Sequence, residues 1–304
     1  LSADPPAPTV GQVWYNSTTK VVKGAINGVG AWASGGALNV AKTAGATAGT
    51  QTAGLYFGGG APGGNTAQTE KYNGTSWTEV NDLNTVRTNL AGAGTQTSAL
   101  AFGGGPPVKN ETEKFDGTSW TEVNNLNTAR QVLAGTGTQT AALAFGGEIT
   151  ANSASAESFN GTSWTEIAAL NSARYALGGA GTTTSALAFG GDNPRTAITE
   201  SWNGSAWSEV ADLNTARYAL AGFGSSNTSA LAVGGFNPPF ANETESWDGT
   251  SWTEIANLAT ARQQLRGSGS TAAAFVAGGI TPSKTTATEE WTVPSFTTKT
   301  FDTD

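Results

Sequence analysis

A short phrase ending in an aromatic residue recurs along almost the whole chain, and it limits the folds open to this sequence. Its clearest copy runs from Asn73 to Trp77 and is Asn-Gly-Thr-Ser-Trp. The copies end at Trp32, Trp77, Trp120, Trp164, Trp207, Trp252 and Phe296. A period of about 44 residues is the size of one four-stranded propeller blade. The repeat therefore predicts an all-β protein built from similar, adjacent units.

A second phrase lies between these copies and indicates how each unit is built. One copy begins at Leu83-Asn-Thr-Val-Arg87, continues through small residues and ends at Gly103-Gly104. The Gly- and Ala-rich strand suits the crowded inner edge of a ring, and the apolar strand before the Gly-Gly pair suits burial. The Asn-Gly or Asp-Gly pair before each Trp predicts a tight hairpin, because a type I′ turn needs positive φ at both central residues.

The repeat resembles the kelch repeat over about residues 34–301. The shared features are a Gly-Gly pair after an apolar strand, a Glu two residues before an aromatic residue, and a Trp five residues after that aromatic. The resemblance implies a kelch-like β-propeller of four-stranded blades. The sequence has six Gly-Gly units but seven Trp-type strands, so two ways of closing the propeller ring are possible. We expect six blades with the Trp32 strand closing the ring; the alternative is a reduced seventh blade formed by residues 11–33.

The start of the chain carries a second resemblance. Residues 11–24 are similar to a short module of tail-fibre and other virion proteins of marine phages, which precedes a Thr-Ser-Trp-Thr-Glu repeat. This implies an N-terminal attachment segment at residues 1–24 and a propeller at 25–304. It also implies a virion or extracellular location and binding to other virion or fibre subunits through the N-terminal segment. Because the chain begins at Leu1 and holds no Met, we expect a processed product or a fragment.

Composition removes several classes of chemistry. With no Cys and no His, the chain has no disulfide, no thiol nucleophile, no Cys/His zinc site and no His-dependent triad. The net charge of −8, without a basic stripe, argues against nucleic acid as a partner. No apolar run reaches the roughly 18 residues of a membrane span. Calcium-loop and phosphate-loop spacings are missing too, so we expect no metal and no cofactor.

Two charged positions recur in every unit. The acidic set is Glu70, Glu113, Glu157, Glu200, Glu245 and Glu289. The basic set is Lys42, Arg87, Arg130, Arg174, Arg217 and Arg262. Such carboxylates are compatible with acid/base or metal chemistry, but a residue that serves one site is not expected in every blade. We therefore predict a structural role, as Glu–Arg pairs or charge-assisted bonds to the backbone.

The recurring aromatic residues allow two interpretations as well. The Trp set is Trp77, Trp120, Trp164, Trp207 and Trp252, and a second set is Tyr72, Phe115, Phe159, Trp202, Trp247 and Trp291. Either set could stack on sugars, but recurrence favours packing between blades. Three Asn-Gly pairs match the glycosylation acceptor pattern at Asn73, Asn160 and Asn203. The hairpin turn already explains these pairs.

Binding residues are expected where the repeats differ. The loops after the Gly-Gly pairs vary most and emerge on one face of a propeller. Their candidate binding residues are Lys109, Arg195, Phe236, Asn237, Phe240 and Lys284. Phe236 and Phe240 flank two prolines and suit exposed aromatic contacts, or else they anchor the loop. Phe223 and Arg266 replace small residues of the inner strand, where they either line the channel or fill a gap, the second being favoured.

Together these features predict a non-catalytic structural or adhesion protein. The first hypothesis is a phage virion or fibre component whose variable loop face contacts a host surface glycan or a neighbouring subunit. The alternative is a secreted, lectin-like carbohydrate-binding propeller. A polysaccharide-active enzyme is a third hypothesis, but it requires a non-repeated cluster of acidic residues, Tyr or Arg around the channel. The near-identical units argue against such a cluster.

Overall fold

The computed structural model describes residues 1–6, 11–26, 28–192, 194–294 and 297–301. Throughout these ranges the regular elements are β-strands in antiparallel sheets, and none is a helix. Six of the sheets have four strands and repeat along the chain, which confirms the prediction of an all-β, propeller-like repeat architecture. The copy of the repeat that ends at Phe296 lies outside the described residues.

Sheets 1 to 5 each run from a small-residue inner strand to a Trp-bearing outer strand. Sheet 1 contains Ala46–Thr50, Ala53–Phe57, Thr69–Tyr72 and Trp77–Val80, with a hairpin of Gly60–Ala61 and Gly64–Asn65. Sheet 2 contains Ala91–Thr95, Ser98–Phe102, Thr112–Phe115 and Trp120–Val123. Sheet 3 contains Ala134–Thr138, Ala141–Phe145, Ala156–Phe159 and Trp164–Ile167. Sheet 4 contains Gly178–Gly181, Ala186–Phe189, Thr199–Trp202 and Trp207–Val210. Sheet 5 contains Ala221–Ser226, Ser229–Phe236, Phe240–Trp247 and Trp252–Ile255.

Sheet 6 is assembled from two distant parts of the chain. Its first three strands are Arg266–Gly269, Ala273–Ala277 and Thr288–Thr292. Its outer strand is Ala31–Ser34, which pairs antiparallel with the third strand so that Trp32 lies opposite Trp291. The Trp32 strand therefore completes a four-stranded sheet with the last repeat instead of forming a separate unit with the residues before it.

The two ends of the chain form a small separate sheet. Val13–Asn16 pairs with Val21–Ile26, which in turn pairs with Thr297–Phe301. The predicted boundary at residue 24 falls inside the middle strand of this sheet, and the last described strand pairs with the N-terminal segment. Hydrogen bonds from the side chains of Lys23, Asn16 and Trp14 lower the pKa of Asp4 to about 2.

The six inner strands surround a channel and are linked by a cycle of backbone hydrogen bonds. Each inner strand contacts the next, and that of sheet 6 contacts that of sheet 1. A residue with positive φ lies two positions before each inner strand and donates its N–H to the equivalent carbonyl of the preceding sheet, at 2.7–3.0 Å. The donors of this backbone ring are Ala44, Asn89, Val132, Ala176, Ala219 and Gln264. The bond from Ala44 to Gln264 closes the cycle.

The apolar core lies between neighbouring sheets. The cluster between sheets 1 and 2, for example, includes Phe57, Phe115 and Trp120, all buried. Glycine is required on the facing inner strand, because a Cβ at Gly92 would lie 2.5 Å from the ring of Phe57. The approach of each inner strand to the preceding sheet therefore depends on the small residues that the repeat specifies.

The outer-strand tryptophans hold neighbouring sheets together. The indole N–H of Trp120 donates to the Thr69 hydroxyl of sheet 1 at 3.1 Å, and both groups are buried. Equivalent bonds run from Trp32, Trp77, Trp164 and Trp252 to Thr244, Thr288, Thr112 and Thr199. Trp207 is the exception: Ala156 takes the place of the threonine, and the Trp207 N–H has no acceptor among the described residues.

Ala156→Thr is expected to complete this set of bonds. A hydroxyl at position 156 would accept from the buried Trp207 N–H, so the free energy of unfolding should rise by about 1 kcal/mol. Urea denaturation followed by tryptophan fluorescence measures the change. Ala156→Val is the matched control, since it adds the same bulk without the hydroxyl. A threonine variant that is no more stable than the valine variant would contradict this account.

Candidate functional site

A buried carboxylate fixes the connection between successive sheets. In sheet 2, Oε1 of Glu113 accepts a bond from Nη2 of Arg87 at 2.8 Å. Its Oε2 accepts from the backbone N–H of Asn84 at 2.7 Å and from the Asn84 side chain at 2.9 Å. Arg87 also donates from Nη1 to the carbonyls of Gly103 and Glu111. We call this arrangement of Glu, Arg and Asn the carboxylate clamp.

The ion pair of the clamp is present in all six units. Its N–O distances are 2.6–3.0 Å, and the side chains are almost completely buried. The pairs are Lys42–Glu70, Arg87–Glu113, Arg130–Glu157, Arg174–Glu200, Arg217–Glu245 and Arg262–Glu289. Burial lowers the pKa of the Arg87 guanidinium, and the charge of Glu113 opposes that shift. The repeated carboxylates are thus engaged by the protein itself.

Two units depart from the common clamp in the residues that form it. In sheet 1 the base is Lys42, and Tyr56 occupies a position that is alanine in sheets 2 to 5. The Lys42 Nζ lies 5.6 Å from the centre of the Tyr56 ring, so the larger aromatic fills space near the shorter base. In sheet 6, Ala259 replaces the asparagine, and Glu289 keeps only the backbone N–H bond from that residue. The clamp therefore tolerates loss of the asparagine side chain.

Glu113→Gln is expected to lower the free energy of unfolding by about 3–5 kcal/mol, because it leaves the buried Arg87 without its counter-charge. Thermal and urea unfolding measure the loss. Glu122→Gln is the matched control, since Glu122 lies directly opposite Glu113 on the outer strand and is exposed. The control should change stability by less than about 0.5 kcal/mol. Equal losses in the two variants would exclude a special role for the buried carboxylate.

The repeats differ strongly at a pair of positions next to the backbone ring. The residue after each clamp base forms a β-bridge with the residue after each Gly-Gly pair. These rim pairs are Thr43–Gly60, Thr88–Gly105, Gln131–Glu148, Tyr175–Asp192, Tyr218–Phe236 and Gln263–Ile280. The first residue of each pair directly precedes a donor of the backbone ring in the sequence. Sequence reasoning missed most of these positions, although variation directly after a recurring Arg was the available signal.

Large polar and aromatic side chains occupy the rim of sheets 3 to 5. The Tyr175 hydroxyl donates to Oδ2 of Asp192 at 3.0 Å. Burial, this hydrogen bond and the nearby carboxylates raise the pKa of Tyr175 to about 12, so its phenol stays protonated. In sheet 3, Gln131 donates to Oε1 of Glu148 at 2.8 Å. On sheets 1 and 2 the rim pairs are only Thr and Gly.

The aromatic part of this surface continues onto sheet 5. The ring centres of Tyr218 and Phe236 are 5.4 Å apart, and those of Phe236 and Phe240 are 5.7 Å apart. All three side chains are half-buried. Phe236 is the last residue of one eight-residue strand, and Phe240 is the first residue of the next. These two strands are the longest of the described sheets, and Asn237 lies in the short connection between them. We call the surface formed by Glu148, Tyr175, Asp192, Tyr218, Phe236 and Phe240 the rim strip.

The other loop candidates are mostly engaged within the protein. Lys109 forms an ion pair with Glu111 at 3.0 Å. Lys284 donates to the carbonyl of Ala61 at 2.6 Å and so links the loop of sheet 6 to the hairpin of sheet 1. Arg195 is exposed, and Asn193, two residues before it, lies outside the described residues. The structure therefore brings Phe236 and Phe240 into contact, whereas Lys109 and Lys284 bind Glu111 and Ala61.

The two inner-strand candidates have different surroundings. Phe223 is buried between sheets 5 and 6, in the cluster that contains Val276, and it also contributes to the wall of a second chamber of the channel. Arg266 lines a different chamber of the channel, with a volume of about 80 Å³, whose wall is built from the inner strands of all six sheets. Its Nε donates to the carbonyl of Gly45 at 2.7 Å, and its Nη1 to that of Leu265 at 3.0 Å.

Comparisons with known proteins do not indicate what this surface binds. No family model matches the chain, and no curated protein matches it. Among the described residues, no group of acidic side chains is arranged to hold a metal ion, and no helix is long and apolar enough to cross a membrane. The chemistry of the rim strip and of the channel is therefore the basis for a functional proposal.

Proposed function

We propose that this chain is a six-bladed, kelch-like β-propeller that acts as a non-catalytic adhesion or structural protein. The rim strip is the observation that carries the proposal. In each unit the repeated charges are used to connect sheets, whereas the rim positions change from small residues to an aromatic and acidic surface on one side. Binding through a face where the repeats differ explains why these positions depart so strongly from the common pattern.

The chemistry of the rim strip favours a hydroxyl-rich ligand. Tyr218, Phe236 and Phe240 offer aromatic surface for the C–H face of a sugar ring, and the carboxylates of Asp192 and Glu148 accept hydrogen bonds from hydroxyl groups. Pockets of this kind combine apolar area with a few fixed polar groups. A surface glycan is therefore the proposed ligand. A secreted, lectin-like protein would use the same surface and is the second candidate.

The small terminal sheet supports an assembly role for a second surface of the molecule. Val13 and Tyr15 are 61% and 50% exposed, and Phe301 lies on the same face, across Gly24. The opposite face is covered where Asp4 accepts bonds from Trp14 and Asn16. An exposed apolar face suits a protein–protein contact. We propose that other virion or fibre subunits bind here, which corresponds to a virion or extracellular location.

The glycan proposal predicts that Phe236→Ala/Phe240→Ala weakens binding about tenfold or more, because two aromatic contacts are lost. Retention of the full-length chain on immobilised dextran, mannan and galactan measures binding. Gln263→Ala/Ile280→Ala, on the rim of sheet 6, is the matched control and should leave retention unchanged. A thermal melt of each variant checks that the fold is intact.

The same samples separate binding from catalysis. An adhesion protein releases no new reducing ends from the bound polysaccharide, whereas a polysaccharide-active enzyme does so continuously. Retention that is equal in both double variants would place sugar binding away from the rim strip and contradict the proposal. New reducing ends that appear with the wild-type chain and disappear with the rim-strip variant would favour the enzyme hypothesis instead.

A further inference from the structure

Arg266 differs from the other buried arginines in its partners. Each clamp arginine, such as Arg262, forms an ion pair with a glutamate at 3.0 Å or less. Arg266 is half-buried in the channel wall, and in the described part of the chain its hydrogen-bond acceptors are two neutral backbone carbonyls, with no carboxylate. Its charge is therefore solvated only in part by the protein.

The ring does not need this arginine for its construction. The equivalent position is alanine in sheets 1, 2, 3 and 5 and glycine in sheet 4. Arg266 pairs in register with Ala277, where sheets 1 to 4 carry a phenylalanine, so sheet 6 has the extra room that a long side chain requires. The substitution is accommodated by the fold but is not explained by it.

The surroundings of Arg266 favour an anion. The chamber is lined mainly by Gly, Ala and Leu, and Arg266 is the only charged residue of its described wall. Nη2 of Arg266 has no acceptor among the residues described. The nearby Tyr56 supplies no negative charge, because burial raises the pKa of its phenol to about 12. A partly desolvated cation without a counter-charge is costly, and a bound anion removes that cost.

We propose that this chamber binds a carboxylate group through Arg266. The planar guanidinium matches the two oxygens of a carboxylate better than it matches a spherical ion. A volume of about 80 Å³ admits a small group and not a whole oligosaccharide. The group would come from an acidic sugar or from the C-terminus of another protein chain. The site shares no residue with the rim strip, because Arg266 belongs to sheet 6, whereas the rim strip belongs to sheets 3 to 5.

Acetate is the probe for the first test. With the whole 304-residue chain, the ¹³C resonance of labelled carboxylate should broaden on binding, and at acetate ten times above Kd the Tm should rise by about 2 °C at constant ionic strength. Arg266→Ala should abolish both effects. This variant restores the residue of sheets 1, 2, 3 and 5, so it is expected to fold. Arg266→Lys keeps the charge but loses the planar fork, and it should weaken acetate binding about tenfold.

The outcomes are distinct from those of the glycan experiment. Identical responses of wild type and Arg266→Ala to acetate would overturn the proposal, whatever the rim-strip variants do. Chloride that raises Tm as much as acetate would overturn the assignment of a carboxylate. Titrations with methyl glucuronide and with N-acetylalanine then distinguish an acidic sugar from a protein C-terminus as the source of the group.

Discussion

The buried carboxylate of each clamp determines the path of the chain from one sheet to the next. Glu113 binds Asn84 and Arg87, and Asn89 enters the backbone ring only two residues further on. The inner strand then begins at Ala91. Because the ion pair is almost fully desolvated, its geometry is held tightly, and breaking it leaves an uncompensated charge. One side chain in each sheet thus positions the connection, the ring and the strand that follows it.

The backbone ring explains how the rim varies without loss of the fold. Its residues have positive φ, which is costly for a β-branched side chain such as Val132. The cyclic main-chain hydrogen bonds and the side chains of the adjacent clamps stabilise this conformation. The neighbouring rim position can therefore carry different side chains in different sheets, such as Thr88 in sheet 2 and Tyr218 in sheet 5. A closed main-chain ring with variable side chains around its mouth is well suited to present a binding surface.

The sequence predicted the repeating part of the fold because its determinants are local. The Asn-Gly turns, the Gly-Gly pairs and the spacing of Trp residues each act within one unit, and all recur. The pairing of residues 297–301 with 21–26 could not be predicted, because the two segments are far apart in the sequence and neither contains the repeated phrases that revealed the other strands. The role of Asn84 in the clamp was missed for a different reason. Its place in the Leu-Asn-Thr phrase was visible, but its acceptor is distant in sequence.

Hydrogen exchange of the six ring amides tests most directly whether the sheets are closed by a continuous cycle. If they are, the amides of Ala44, Asn89, Val132, Ala176, Ala219 and Gln264 exchange slowly and with similar opening free energies, since opening one bond disturbs its neighbours. Ala44 and Gln264 are decisive because they join the first sheet to the last. Much faster exchange at Ala44 than at the other five amides would show that the ring is open between sheets 6 and 1.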